Sequence, residues 1–129
     1  MSQEFKIEII SPDKSIYSGK IEEAILPCFE GQVTILKDHI PLITFLRPGL
    51  MIIKIDNKKN TFFVEDGIVE FSNNQLLILT STAKNLEELD KDSVNEMISE
   101  SQKLFDKNEV NDKKKYLLSY KITTLKGIN

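Results

Sequence analysis

The chain has 129 residues, 40% of them hydrophobic, which suffices for one ordinary core or two small ones. Its 17 Lys and Arg against 20 Asp and Glu leave a net charge of -3, opposite to the basic footprint of a nucleic-acid binder. One cysteine, Cys28, and one histidine, His39, exclude an internal disulfide framework and any metal site built from several such ligands.

The opening Met1-Ser2-Gln3-Glu4-Phe5-Lys6 has no basic n-region and no apolar h-region, so no secretory signal is expected. The longest apolar runs, Leu50 to Ile53 and Leu76 to Leu79, fall far short of the roughly 20 residues that cross a bilayer. These features lead us to expect a soluble chain from a reducing compartment.

Phe5, Ile7 and Ile9 alternate with Glu4, Lys6 and Glu8, the period-two pattern of a half-buried strand. Ser11-Pro12-Asp13-Lys14 reads as a turn. Further strands are expected in Ile21–Leu26, Val33–Leu36, Leu50–Ile55, Thr61–Val64, Ile68–Phe71 and Gln75–Thr80. Between them stand turn clusters at Glu30-Gly31, Arg47-Pro48-Gly49, Asp56 to Asn60, Glu65-Asp66-Gly67 and Ser72-Asn73-Asn74. Short strands at this spacing predict an antiparallel β-sandwich or barrel, and no crossover helix that would permit parallel pairing fits between them.

The pattern changes near Ala83. All four prolines and four of the five glycines precede it. Residues 1–83 hold eight basic and eleven acidic residues, whereas residues 84–129 hold nine of each at higher density. We expect two units: a β-sandwich over 1–83 and an antiparallel α-helical hairpin over 84–129, an α+β chain. Asn85 or Asp90 can cap the first helix, whose apolar stripe is Val94, Met97, Ile98, Leu104 and Phe105. Asp106-Lys107-Asn108-Glu109 breaks it, Asn111 can cap the second helix, and Leu118, Ile122 and Leu125 form the second stripe beside Leu117.

Little in the residues points to catalysis. His39 lies in the loop Lys37-Asp38-His39-Ile40-Pro41 and could be a base only with a nucleophile or carboxylate in reach. A structural or interface histidine fits as well. Cys28 reads as a packed thiol after Leu26-Pro27. No glycine-rich phosphate loop, H-E-x-x-H or G-x-S-x-G is present, and Arg47 is the only arginine available for gripping polyphosphate. Neither a cofactor nor a metal is expected. Lys113-Lys114-Lys115 opposes the dipole of the second helix, as a solvated face or as a cationic grip on an acidic partner.

The loops carry a family resemblance. Ile10-Ser11-Pro12-Asp13-Lys14-Ser15-Ile16-Tyr17-Ser18-Gly19, Glu30-Gly31-Gln32-Val33-Thr34-Ile35-Leu36, Asp38-His39-Ile40-Pro41-Leu42-Ile43-Thr44, Leu46-Arg47-Pro48-Gly49 and Gly67-Ile68-Val69-Glu70-Phe71 occur in one order. In that order and spacing the chain resembles the epsilon subunit of bacterial F-type ATP synthase. The resemblance implies a non-catalytic central-stalk (rotor) subunit of a proton-translocating synthase, peripheral on the cytoplasmic face of the bacterial inner membrane. Its implied partners are the gamma subunit, the membrane c-ring and, through the helices, the catalytic alpha/beta head.

Glu30, Gly31, Gln32 and His39 are then the candidates for ring or gamma contact. Lys113, Lys114, Lys115, Lys121 and Lys126 are the candidates for meeting the head and hindering ATP hydrolysis. Some positions depart from the family pattern. Lys37-Asp38 stand where a Pro-Gly pair is common, Thr34 where a glycine is usual, and Gln32 replaces a frequent glutamate. Of the nucleotide-sensing [IL]-D-x-x-R-A motif only Leu89 and Asp90 remain, with Ser93 for the arginine and Val94 for the alanine, so ATP binding is expected to be absent or very weak. The competing readings are an unrelated β-sandwich adaptor with a helical tail and a small hydrolase using His39.

Overall fold

Alternating side chains build most of the molecule. In the computed structural model, which describes residues 3–107 and 110–128, ten strands precede two helices. They are β1 (Phe5–Ile10), β2 (Ser15–Ile21), β3 (Glu23–Cys28), β4 (Gly31–Leu36), β5 (Leu42–Leu46), β6 (Gly49–Ile55), β7 (Lys58–Val64), β8 (Gly67–Ser72), β9 (Gln75–Leu79) and β10 (Ala83–Asn85). A 3-10 turn, Leu86–Glu88, leads to α1 (Lys91–Phe105) and α2 (Asp112–Ile128). Of the expected break between the helices, Asn108 and Glu109 lie outside the described residues, as do Met1 and Ser2 of the opening stretch.

The strands follow the order β10-β7-β6-β3-β5-β8-β9-β1-β2, with β4 on the free side of β3. A single pair, Cys28 with Leu46, joins β3 to β5. There the sheet folds into a layer of β10, β7, β6, β3 and β4 facing a layer of β5, β8, β9, β1 and β2. Phe5, Ile7, Ile9, Val69, Phe71, Leu76 and Ile78 from the second layer meet Leu26, Ile35, Met51, Ile53, Phe62 and Val64 from the first in one buried core. The sandwich is antiparallel as expected with one exception: β1 runs parallel to β9, Ile7 beside Leu76. No crossover helix is needed, because the intervening strands themselves carry the chain back.

Three strands have no counterpart among the expected runs. β2 is a mostly exposed edge, so it lacks apolar alternation. β5 is apolar on both faces, and β10 has only three residues. The expected turn Asp56–Asn60 contracts to Asp56 and Asn57, with φ of 50° and 63°, and Lys58 already pairs with Ile55. Asn73 and Asn74 repeat this geometry, since both central positions of such a two-residue hairpin need positive φ and Asn tolerates it. Gly49 answers a different demand, because a Cβ there would come 2.6 Å from Cβ of Pro27.

Phe62 and Phe63 show how the hairpin is placed. Adjacent strand residues face opposite ways, so Phe62 enters the sandwich core while Phe63 leaves the outer face of the first layer. Phe63 meets Val94 of α1 and Leu125 of α2, with Leu50, Leu86, Leu89, Met97 and Ile98 around them. Leu118, Ile122 and Leu125 are buried, as the second stripe predicts. In α1 the buried centre is Val94 and Ser101, and Leu104 is 37% exposed rather than in the stripe. At 100° per residue Ser101 lies about 20° from Val94, whereas Leu104 lies about 80° away.

Both expected caps form, on different elements. Asn85 Oδ1 accepts from the Glu87 N–H at 2.9 Å and starts the 3-10 turn, while Asp90 Oδ1 accepts from the Ser93 N–H at 2.6 Å and starts α1. Asn111 Oδ1 accepts from the Lys114 N–H at 2.8 Å. β10 pairs with β7 through Asn85, across the expected change at 83/84.

Candidate interaction surfaces

The outer face of the second layer breaks the rule that a solvent face is polar. Phe45 pairs with Ile68, and Ile68 with Leu79, so three apolar side chains stand in a row across β5, β8 and β9. The Phe29 N–H donates to the Phe45 carbonyl at 3.0 Å and extends the row to the β3–β4 turn. Phe29 is 42% exposed, Phe45 52%, Ile68 45% and Leu79 42%. Ile43, two residues before Phe45 on the same face, is 71% exposed. Single exposed apolar residues need no explanation, but a contiguous row on a rigid sheet marks a binding surface. Sequence reading missed it because these residues look like ordinary strand apolars. The available signal was the phase, since β5 is apolar at both parities.

The turn bearing Glu30, Gly31 and Gln32 borders this row. Gly31 takes φ of +127°, a backbone that favours glycine, and Gln32 lies exposed in β4 opposite Pro27. The buried Thr44 hydroxyl donates to the Glu30 carboxylate, with its oxygens at 2.7 and 2.9 Å. That bond, with one from backbone, holds the Glu30 pKa below its ordinary value. Cys28 lies beneath, fully buried. Burial first, then the Glu30 carboxylate, raise its pKa to about 11 against the opposing pull of Arg47. Such a thiol is inert.

His39 lies elsewhere. β4 separates Gly31 from Leu36 by roughly 17 Å at strand rise, so the Glu30–Gln32 turn and the His39 loop stand at opposite ends of the sandwich. Asp38 adopts φ of +66° where the family pattern favours glycine. The Asp38 N–H donates to Asn74 Oδ1 at 2.7 Å, and Asn74 Nδ2 donates back to Asp38 Oδ1 at 2.9 Å. This reciprocal pair offsets the backbone cost and ties the loop to the β8–β9 turn. His39 Nδ1 donates to the Ile40 carbonyl at 2.7 Å and its ring meets Phe71 edge-on at 5.9 Å. Ile40 beside it is 73% exposed.

The lysines on α2 divide. Lys113, Lys114 and Lys126 are exposed. Lys115 is half-buried, its Nζ 5.7 Å from the Phe105 ring centre, and Lys121 pairs with Glu65 of the sandwich. The remnant nucleotide motif has structural work: Leu89 and Val94 join the Phe63 cluster, and Asp90 and Ser93 form the α1 cap. Ser93 donates to Asp90 and lowers its pKa. Among the described residues no helix is long and apolar enough to cross a membrane. Nor does any group of three or more His, Cys, Asp and Glu among them stand ready to hold a metal ion.

Comparison with known proteins identifies the scaffold. The family described as ATP synthase, Delta/Epsilon chain, beta-sandwich domain matches residues 4–86. An ATP synthase epsilon chain of Pelagibacter ubique is 44% identical over 130 residues, covering 100% of both chains. One from Dichelobacter nodosus is 34% identical over 81% of this chain and 73% of its own. By structure, the chain resembles one in the Euglena gracilis mitochondrial ATP synthase assembly of OSCP, F1 and c-ring, with a TM-score of 0.80 at 16% identity. That likeness covers 98% of this chain and 82% of the other. A chain in the central stalk and c-ring of the Tetrahymena thermophila mitochondrial enzyme gives a TM-score of 0.66 at 16% identity, covering 98% and 96%. The chain belongs to the family of ATP synthase epsilon chains, a family distinct from the catalytic subunit of that complex.

Proposed function

We propose that the chain is a non-catalytic joint of the rotor, docked on the gamma subunit and the c-ring of a proton-translocating synthase at the cytoplasmic face of the bacterial inner membrane. The observation that carries this reading, beside family membership, is the row Phe29, Phe45, Ile68 and Leu79 left uncovered on a rigid sheet. A joint that transmits torque needs a dry, well-packed contact on a scaffold that does not deform, and a sheet face meets that need better than a loop. Gamma lies along this face from Phe45 through Ile43 towards Ile40 and His39. The ring meets the Glu30–Gln32 turn at the other end, where the bond from Thr44 keeps the carboxylate in place.

The hairpin is the regulatory part. It leaves the sandwich to reach the alpha/beta head through Lys113, Lys114, Lys115, Lys121 and Lys126, and so hinders ATP hydrolysis. Two packings of similar energy suffice for this. Nucleotide is not its trigger in this chain, because residues 89–94 are occupied with capping and packing; titration calorimetry on the isolated chain is expected to show no micromolar ATP site. Ile68→Asp tests the docking face. It is expected to abolish co-purification with gamma while the melting temperature of the isolated chain stays within a few degrees, since the site is exposed. Retained co-purification refutes the assigned face.

A further inference from the structure

The hairpin rests on the sandwich through a small apolar contact, with Phe63, Val94 and Leu125 as its only fully buried members among the described residues. Beside it, two neighbouring turns reach consecutive residues of α2. The Arg47 guanidinium lies over the Tyr120 ring, 4.1 Å from its centre, and the next residue, Lys121, pairs with Glu65. The pairing of Gly49 with Val64 sets the two turns side by side.

Both contacts are prepared in advance. The Arg47 N–H donates to the Pro27 carbonyl at 2.9 Å, and the close approach of Gly49 to Pro27 leaves this turn little room to move. Tyr120 is set by Tyr116 one turn earlier, their rings edge-on at 4.9 Å and their hydroxyls 3.4 Å apart. The Tyr116 hydroxyl donates, which lowers the Tyr120 pKa and raises that of Tyr116. Pre-set partners lose less side-chain freedom on meeting, so each contact keeps more of its gross attraction. Neither contact holds a unit together internally: Arg47 and Glu65 belong to the sandwich, Tyr120 and Lys121 to the hairpin.

We propose that Arg47–Tyr120 and Glu65–Lys121 form a two-point clasp that sets how often the hairpin leaves the sandwich. The regulatory consequence rests on the hairpin reading given above, whereas the clasp itself is tested on the isolated full-length chain by hydrogen exchange. Arg47→Gln is expected to speed exchange of the α1 and α2 amides together by roughly fivefold, with the sandwich amides of Ile9, Ile53 and Val69 unchanged. Tyr120→Leu is expected to match it, Tyr120→Phe to fall between the parent and Tyr120→Leu because the ring remains while the hydroxyl bond from Tyr116 is lost, and Arg47→Gln with Tyr120→Leu to exceed neither alone. Glu65→Lys is expected to raise exchange by roughly threefold and added Lys121→Glu to restore it.

Unchanged hairpin exchange in Arg47→Gln and Tyr120→Leu, additive effects in their double variant, or faster exchange in the sandwich overturns the clasp. ATPase of the assembled complex separates the two ideas. Faster hairpin exchange with unaltered ATPase leaves the clasp standing and refutes the regulatory reading.

Discussion

Two adjacent phenylalanines should have opposite consequences when truncated. Phe62 is 4% exposed and faces the sandwich core; Phe63 is 1% exposed and faces the hairpin. Phe→Ala at a buried site costs about 3–5 kcal/mol. For Phe62→Ala that loss falls on the sandwich and should lower the main unfolding transition accordingly. For Phe63→Ala it falls on the contact between the units, whose fully buried part is Phe63, Val94 and Leu125. A loss of about 3 kcal/mol lowers the docked fraction relative to the undocked by about 150-fold, enough to free the hairpin. Denaturant unfolding followed at sandwich amides, with exchange at the helix amides, distinguishes the outcomes. Phe63→Ala is expected to deprotect the helices and leave the sandwich midpoint nearly intact. If both variants lower that midpoint equally, the division into two packing units is wrong.

Other consequences follow from single contacts. Glu30 has a depressed pKa, so its contribution to stability is present above the ordinary carboxylate range and is lost as pH falls through the lowered value. NMR titration should show Thr44→Val moving the Glu30 midpoint back up; an unmoved midpoint assigns the shift to another cause. Asp90→Ala removes the α1 cap and should lower helix content and thermal stability, read by circular dichroism, while Asp90→Asn lowers them less. Cys28, with its pKa raised to about 11, should resist alkylation at pH 8 in the native chain and react only after unfolding; rapid native labelling contradicts its burial.

A truncation that tests the regulatory role has to respect the sheet. Removing residues 84–129 would delete most of β10 and unpair Phe62 and Phe63 of β7, confusing a regulatory effect with a damaged edge. Removing residues 90–129 retains β10 and the turn after it. That form is expected to raise ATPase activity of the assembled complex, and unaltered activity leaves the hairpin a packing element.

Much of the architecture was legible because it obeys local rules. β1 alternates strictly, the paired Asn and Asp-Asn turns carry their own backbone preference, and Asn85, Asp90 and Asn111 cap because a short oxygen-bearing side chain is what a helix start lacks. The failures share a cause: the missing information lies in other strands. β2 is held by β1 and not by a buried face of its own, and the parallel β1–β9 pair joins segments about 70 residues apart with nothing local to announce it. The exposed apolar row was hidden for the same reason. Phe29, Phe45, Ile68 and Leu79 come from distant segments, and only the register of β5, β8 and β9 aligns them. His39 and Gln32 looked like neighbours in sequence, yet a strand drawn out between them sends them to opposite ends.

The proposed contact with gamma can be read most directly with a photo-crosslinking amino acid at position 45 of the otherwise native chain, assembled into the whole synthase. Light should join it to gamma in high yield, and the same probe at Glu8, on the polar part of that face, should give little. Equal yields at the two positions, or an adduct of position 45 with any other subunit, contradict the account.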